Sequence, residues 1–376
     1  SGFHYMYKAL FIVNRPDYFL SHRLALAQSL ADDGYEIHIA SVKHQSVSQL
    51  VSLGFHFHFV DIERGRTNPI KELFGLLSIV KLIKRLQPDI VHCITMKPVL
   101  YGGIAARLLG IRKVVVAIAG LGSVFTTDSA KNRVLRLISV QLYKLALGNA
   151  RLTAIFQNKH DRAFFVERNI IPMQRTRLIK GSGVALDKFA FAPLPESKKK
   201  AVLLSARLLR EKGVFEFLDA AKQVLTARTD VEFWLAGDID PANPSSLTEQ
   251  DIETWSKISG IKFLGFQSDI YNVIKASTLV VLPSYREGFP KALIEAAAVG
   301  RAIITTDVPG CEDAVINNET GFLVPVKQVD SLIEKIHYLL NHHDRCVAFG
   351  LAGRVYAENN FDISSVVLAH REIYMS

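Results

Sequence analysis

Residues 278–300 read TLVVLPSYREGFPKALIEAAAVG, and this stretch decides the fold. A short apolar run, 278–282, has the length and β-branched content of a buried strand and stops at Pro283. A loop carrying Glu287, Gly288 and Phe289 follows. Pro290 stands where a helix starts, a place that suits its fixed φ and missing N–H. KALIEAAAV is strong helix former, and Gly300 ends it. A continuous apolar strand feeding a helix is the building unit of a parallel sheet covered on both faces.

The same alternation extends outward in both directions. After the linker come strand 201–206, helix 214–227, strand 231–236, strand 261–264 and a short helix near 268–276. Helix 290–299 is followed by strand 302–306 and helix 328–341. The first half reads as strand 7–13, helix 19–33, strand 35–40, helix 70–86 and strand 90–95, then helix 98–109, strand 113–119 and helix 131–147. Two such successions predict an α/β protein of two doubly wound, Rossmann-like domains facing a cleft, with ligands beyond the carboxyl ends of the strands. The segment GSGVALDKFAFAPLPESKKK has no sustained periodicity and marks the joint. The expected division is 1–182, 183–358 and a terminal helix, 359–376, that crosses back to the first domain.

Composition fits this picture. The chain has 376 residues, 49% apolar and 22% charged, which excludes a disordered or fibrous protein. Three scattered cysteines, Cys93, Cys311 and Cys346, form no ligand pair, so neither a disulfide framework nor structural zinc is expected. No apolar run is long enough for a membrane span, and residues 1–5 carry no signal-peptide pattern.

Charge is uneven. Net charge is +9, but residues 1–180 hold 25 Lys and Arg against 11 Asp and Glu, net +14, leaving the remainder at −5. A basic half implies an anionic partner. Helix 70–86 sets Leu73, Leu76, Leu77, Val80 and Ile83 on one stripe, with Lys71, Lys81, Lys84 and Arg85 elsewhere. Helix 131–147 repeats the theme with Lys131, Arg133, Arg136 and Lys144. Such helices either pack in a core with a solvated basic face or lie on an anionic membrane surface. No nucleic-acid recognition motif accompanies them, so nucleic acid is not an expected partner.

The chemistry concentrates in the second half. The helix after Pro290 offers free N–H groups and a positive dipole end to an anion. Glu287 before it and Glu295 within it can accept hydrogen bonds from hydroxyls at two points along one ligand, as on a nucleotide sugar. In SARLLREKG, just after a strand, Arg207 and Lys212 can neutralise a diphosphate. Each motif alone is weak, since surface cations and helix-capping acids are common.

Together, R-x4-K-G after the first strand and E-G-F-P-x4-E after a later one resemble the retaining glycosyltransferases of family four, with the GT-B fold. LIKGSGVALDKF (178–189), LAGD (235–238), FLGFQSDI (263–270), DVPGCEDAV (307–315) and TGFLVPV (320–326) follow the family's order and spacing. DYFLSHRLALAQSL (17–30), DIVHCITMKPVLYGGIAARLLG (89–110) and AGLGSVF (119–125) are similar to members that build capsule, O-antigen or lipid-linked oligosaccharides.

The resemblance implies that Arg207 and Lys212 hold the donor diphosphate. Glu287 would contact the transferred sugar, with the backbone of Gly288 and Phe289 beside it, and Pro290 and Lys291 would complete the donor loop. Glu295 would bind the ribose, and Gly265 and Phe266 would face the base. Gly120 and Gly122 would allow close approach of backbone to donor. It further implies a nucleotide sugar, read as UDP-linked, with no cofactor or metal, and a polyprenyl-diphosphate-linked acceptor at the cytoplasmic face of the plasma membrane, held peripherally. Arg15, Asp17, His22 and Lys97 are the candidate acceptor contacts, while His56 and His58 alternate like strand residues. Two departures stand out: the loop NRPDYFLSH has no glycine, and AIAGLGSVF has no histidine. A nucleotide-sugar 2-epimerase and a non-catalytic UDP-sugar-binding subunit remain alternatives on the same architecture.

Overall fold

Strand β1 (Lys8–Val13) is almost wholly buried and pairs in parallel on both sides, so it forms the centre of the first sheet. The other strands are β2 (Glu36–Ser41), β3 (His56–Phe59), β4 (Ile90–Ile94), β5 (Lys113–Ile118), β6 (Leu152–Phe156) and β7 (Thr176–Leu178), in the order β3-β2-β1-β4-β5-β6-β7. The second sheet contains β8 (Lys200–Ser205), β9 (Val231–Ala236), β10 (Ile261–Gly265), β11 (Leu279–Leu282), β12 (Ala302–Thr306) and β13 (Gly321–Val324), ordered β10-β9-β8-β11-β12-β13. All named pairings are parallel. This computed structural model describes residues 5–121, 125 and 128–376.

The chain divides into two units, one of 1–182 with 364–376 and the other Gly183–Ile363. The terminal helix Ile363–Met375 inserts Val366, Ile373 and Tyr374 into the core of the first unit. Its Tyr374 hydroxyl meets Nδ1 of buried His92, and Arg371 donates to Ser29 Oγ at 2.9 Å.

Several elements differ from expectation. Helix 19–33 is two helices, Pro16–His22 and Leu24–Asp32, because Arg23 between them leaves helical geometry at φ −132, ψ 0. β3 carries the strand-like alternation of His56 and His58, while β6, β7 and β13 are additional short strands. Helix His343–Asn360 is also additional; its apolar residues are spread around its circumference, so no stripe announces it.

The stripe on the first basic helix is misplaced by the sequence. Helix Pro69–Leu86 buries Gly75, Ile79, Leu82, Ile83 and Leu86, while Leu73 and Leu77 face solvent beside Ile70 and Phe74. Helix Ala130–Leu147 likewise buries Ser139, Tyr143, Ala146 and Leu147 and exposes Val134, Leu137, Ile138 and Leu145. Both pack against helix Met96–Leu109, so they share one helical layer.

Candidate functional site

Strand order reverses between β8 and β11, which makes the crevice beyond their carboxyl ends the natural ligand site of the second unit. Lys212 leaves the loop after β8, and Glu287 leaves the loop after β11. There they meet: Lys212 Nζ donates to Glu287 Oε1 at 2.7 Å and Oε2 at 2.9 Å, and Ser284 Oγ donates to Oε1 at 2.7 Å. The Glu287 side chain is only 9% exposed, so this ion pair is shielded from water and from screening.

Two glycines permit the meeting. A Cβ on Gly213 (φ +76) would lie 2.1 Å from the Pro283 carbonyl oxygen, and one on Gly310 (φ +87) would lie 2.1 Å from the Glu287 carbonyl oxygen. Glycine at both positions lets three loops press together. Tyr285 fixes the assembly further. Its N–H donates to Glu211 O at 2.8 Å and its hydroxyl to Glu216 Oε2 at 3.0 Å. Burial, reinforced by that carboxylate, raises the Tyr285 pKa, so the phenol keeps its proton.

The remaining donor candidates spread along the same sheet end. Arg207 is exposed, with Nη1 3.4 Å from Asp240 Oδ2, so its guanidinium keeps most of its fork open. Gly237 N–H donates to Gly265 O at 2.8 Å, and Phe266 N–H to Asp238 Oδ1 at 3.2 Å, which joins the loops after β9 and β10. The Phe266 ring is 73% exposed, an aromatic face available for stacking. Gly288 and Pro290 are buried. Phe289 turns inward against Phe361, with ring centroids 5.5 Å apart, so only its backbone can face a ligand.

Helix Lys291–Val299 begins one residue later than expected, with Pro290 as its cap. Glu295 on this helix is 7% exposed. Burial pushes its carboxyl up to about 7, against an opposing pull from Lys291. Burial lowers the Lys291 ammonium, and Glu295 holds it up.

In the first unit, the order reverses between β1 and β4. Arg15, Asp17 and His22 follow β1. Arg15 forks onto Asp17 at 3.0 and 2.9 Å, and His22 stacks on Tyr18 with centroids 4.0 Å apart. Lys97 is tied to another part of the unit. Its Nζ donates to Glu63 O, Arg66 O and Glu72 Oε1 at 2.5, 2.9 and 2.9 Å, committing the ammonium to the loop before helix Pro69–Leu86. Two residues missed by the sequence stand at the reversal instead. Thr95 adopts φ +72, ψ 170, rare for a side-chain-bearing residue, and its buried Oγ1 has no partner among the described residues. Asn14 Oδ1 is in the same condition. No spacing rule finds them; only the strained backbone and the unmet oxygens do. Gly120 after β5 has φ +124, and Gly122 lies outside the described residues.

Similarity to known proteins gives the class, a sugar transferase. The chain matches the model for Glycosyl transferases group 1 over residues 187–355 and that for Glycosyl transferase 4-like over residues 8–158. It is 30% identical over 344 residues to the N,N'-diacetylbacillosaminyl-diphospho-undecaprenol alpha-1,3-N-acetylgalactosaminyltransferase of Campylobacter jejuni, covering 86% of this chain and 88% of that one. It is also 30% identical to the UDP-Gal:alpha-D-GlcNAc-diphosphoundecaprenol alpha-1,3-galactosyltransferase of Escherichia coli over 71% of this chain and 70% of that one. Anabaena HepE, solved with UDP and glucose, superposes with a TM-score of 0.79 at 19% identity over 98% of this chain and 100% of that one. The chain belongs to the family-four glycosyltransferases and has the GT-B fold. No helix among the described residues is long and apolar enough to cross a membrane.

Proposed function

We propose that the protein moves a sugar from a UDP-sugar to a polyprenyl-diphosphate-linked saccharide, with retention of anomeric configuration. The observation that carries this is the convergence of Lys212 and Glu287 at the β8/β11 reversal, with Arg207 on the same sheet end. Arg207 and Lys212 bind the diphosphate and offset its growing charge as the glycosidic bond breaks, work a divalent metal does elsewhere. Glu287, held by Lys212 and Ser284, accepts hydrogen bonds from the transferred sugar. Backbone N–H groups at Gly288 and Phe289 assist it, and Pro290 and Lys291 shape the loop. Glu295 receives the ribose hydroxyls, Phe266 and Gly265 face the base, and Gly120 lets backbone approach the donor. The leaving phosphate oxygen takes the acceptor's proton, so no separate protein base is needed. Asn14 and Thr95, with Arg15, Asp17 and His22, form the acceptor side. The names of the Campylobacter and Escherichia relatives support the lipid-linked acceptor.

The exposed apolar residues Ile70, Leu73, Phe74 and Leu77 lie on the same helix as Lys71, Lys81 and Lys84, and the second basic helix repeats the arrangement. These faces dock peripherally on anionic lipid at the cytoplasmic side, where the carrier phosphates lie.

The test offers purified protein a panel of radiolabelled UDP-sugars with a bacterial polyprenyl-lipid extract. Label from one donor should enter the organic phase. UDP binding without label would discard the lipid-directed reading. Binding to anionic vesicles should weaken as salt is raised, and salt-independent binding would remove the docking role.

Glu295 predicts a pH dependence. Ribose hydroxyls donate to its ionised form, whereas the free protein holds the carboxyl half-protonated at about pH 7. UDP affinity of the wild type relative to Glu295→Gln should therefore rise between pH 6 and 8, by up to about tenfold per unit below 7. The free protein should behave oppositely in stability. Its folded state binds more protons than the unfolded one between the ordinary value of 4.5 and about 7, so this group's contribution falls as pH rises through that window. A pH-independent affinity ratio measured by calorimetry, or equal UDP affinity for Glu295→Ala, would remove the ribose assignment.

A further inference from the structure

The amino ends of β2 and β3 bring together a group of side chains for which the sugar transfer has no use. Parallel pairing sets His38 opposite His56 and Ala40 opposite His58. With a period of two, Glu36 and His38 share a face of β2 with Ala40, the face that the basic helices cover. The ligand-capable atoms of Glu36, His38 and His56 all lie within 4.8 Å of one another. His38 is buried, Glu36 half-buried and His56 exposed, so the cluster opens to solvent through His56.

We propose that Glu36, His38 and His56 bind one divalent transition-metal ion of the zinc type. Two imidazoles and one carboxylate are a recognised donor set for such an ion, with a water in the fourth position. The existing hydrogen bonds fit this assignment. His38 Nε2 lies 2.5 Å from Glu36 Oε1, and the metal would replace the proton shared there. His38 Nδ1 lies 2.8 Å from His58 Nε2. When Nε2 ligates, Nδ1–H donates to His58, the outer-shell partner that fixes a ligating imidazole. Ligand bonds of 2.0–2.2 Å bring the donor atoms to about 3.3 Å from one another, which the exposed His56 reaches by side-chain rotation. The His56 ring already stacks on His38, with centroids 4.6 Å apart. The site lies at the strand ends opposite the loops of Asn14 and Thr95, and an ion bound there would link edge strand β3 to β2.

The test uses tag-free, EDTA-treated full chain titrated with ZnCl2 and followed by calorimetry and thermal unfolding. One ion per chain and a zinc-dependent rise in Tm are expected. His56→Ala and Glu36→Gln should each weaken binding at least tenfold. Because His56 is exposed, its replacement should leave the metal-free Tm unchanged, which separates loss of a ligand from loss of fold. His343→Ala, at an exposed histidine pair elsewhere, should bind as wild type does. Absence of zinc binding by the wild type, or equal binding by His56→Ala, would overturn the assignment. Sugar transfer plays no part in the readout, so failure here leaves the proposed reaction untouched.

Discussion

Lys212→Ala is expected to lower the rate of sugar transfer about 10²–10³-fold, the usual cost of removing one preorganised group that stabilises charge developing in a transition state. The expectation rests on position. The Lys212 ammonium sits at the strand-order reversal with its charge held against Glu287. A diphosphate entering there gains a cation that needs little reorganisation. Since leaving-group charge grows as the glycosidic bond breaks, the loss should fall mainly on kcat, with a smaller effect on UDP affinity. Glu287→Gln keeps the shape of the side chain, loses the ion pair and should suffer a loss of similar order, with UDP binding nearly intact. The two groups hold each other in place, so the double variant should be little worse than either single one. Losses that multiply in full would mean that the pair does not act as a unit. A Lys212→Ala enzyme within a few-fold of wild type would remove the phosphate assignment.

The second large effect is on stability. Arg301 is fully buried, and its guanidinium donates to backbone carbonyls: Nε to Ser277 at 2.9 Å, Nη1 to Ala192 at 2.7 Å, and Nη2 to Lys275 and Pro193 at 2.8 and 3.1 Å. It joins the end of helix Ile270–Ala276 to the linker at 192–193. Burial lowers its pKa to about 10, so it stays charged at neutral pH. Arg301→Leu strands several buried carbonyls and should cost about 3–5 kcal/mol of stability in the second unit, measured by denaturant unfolding. Arg301→Lys keeps the charge but not the planar fork and should lose somewhat less. A leucine variant within about 1 kcal/mol of wild type would show that the carbonyls find other partners.

The architecture was legible because the central strands are continuous apolar runs and the helices between them are periodic. What escaped has physical causes. β7 has only three residues. Arg23 breaks a helix through backbone geometry that composition does not encode. On helix Pro69–Leu86 the apolar residues cover more than one face, so choosing the buried stripe requires knowing what packs against it. At the site, the motifs around Arg207, Lys212, Glu287 and Glu295 were readable. The salt link between Lys212 and Glu287 was not, because it depends on β8 lying next to β11. The ties of Lys97 were hidden for a similar reason: its partners Glu63, Arg66 and Glu72 come from a distant loop and helix.

The return of the terminal helix to the first unit has a consequence for biosynthesis. That unit's sheet emerges from the ribosome first, yet Val366, Ile373 and Tyr374 complete its core only after all of Gly183–Ile363 has been made. At translation rates of about 5–20 residues per second, the wait is roughly 10–40 s. Throughout it, the nascent chain carries an uncovered apolar face around Phe11 and His92, where the final helix will settle. The half synthesised first is thus the half that finishes folding last, and the interval is a window in which a chaperone that shields that face would raise the yield of native protein.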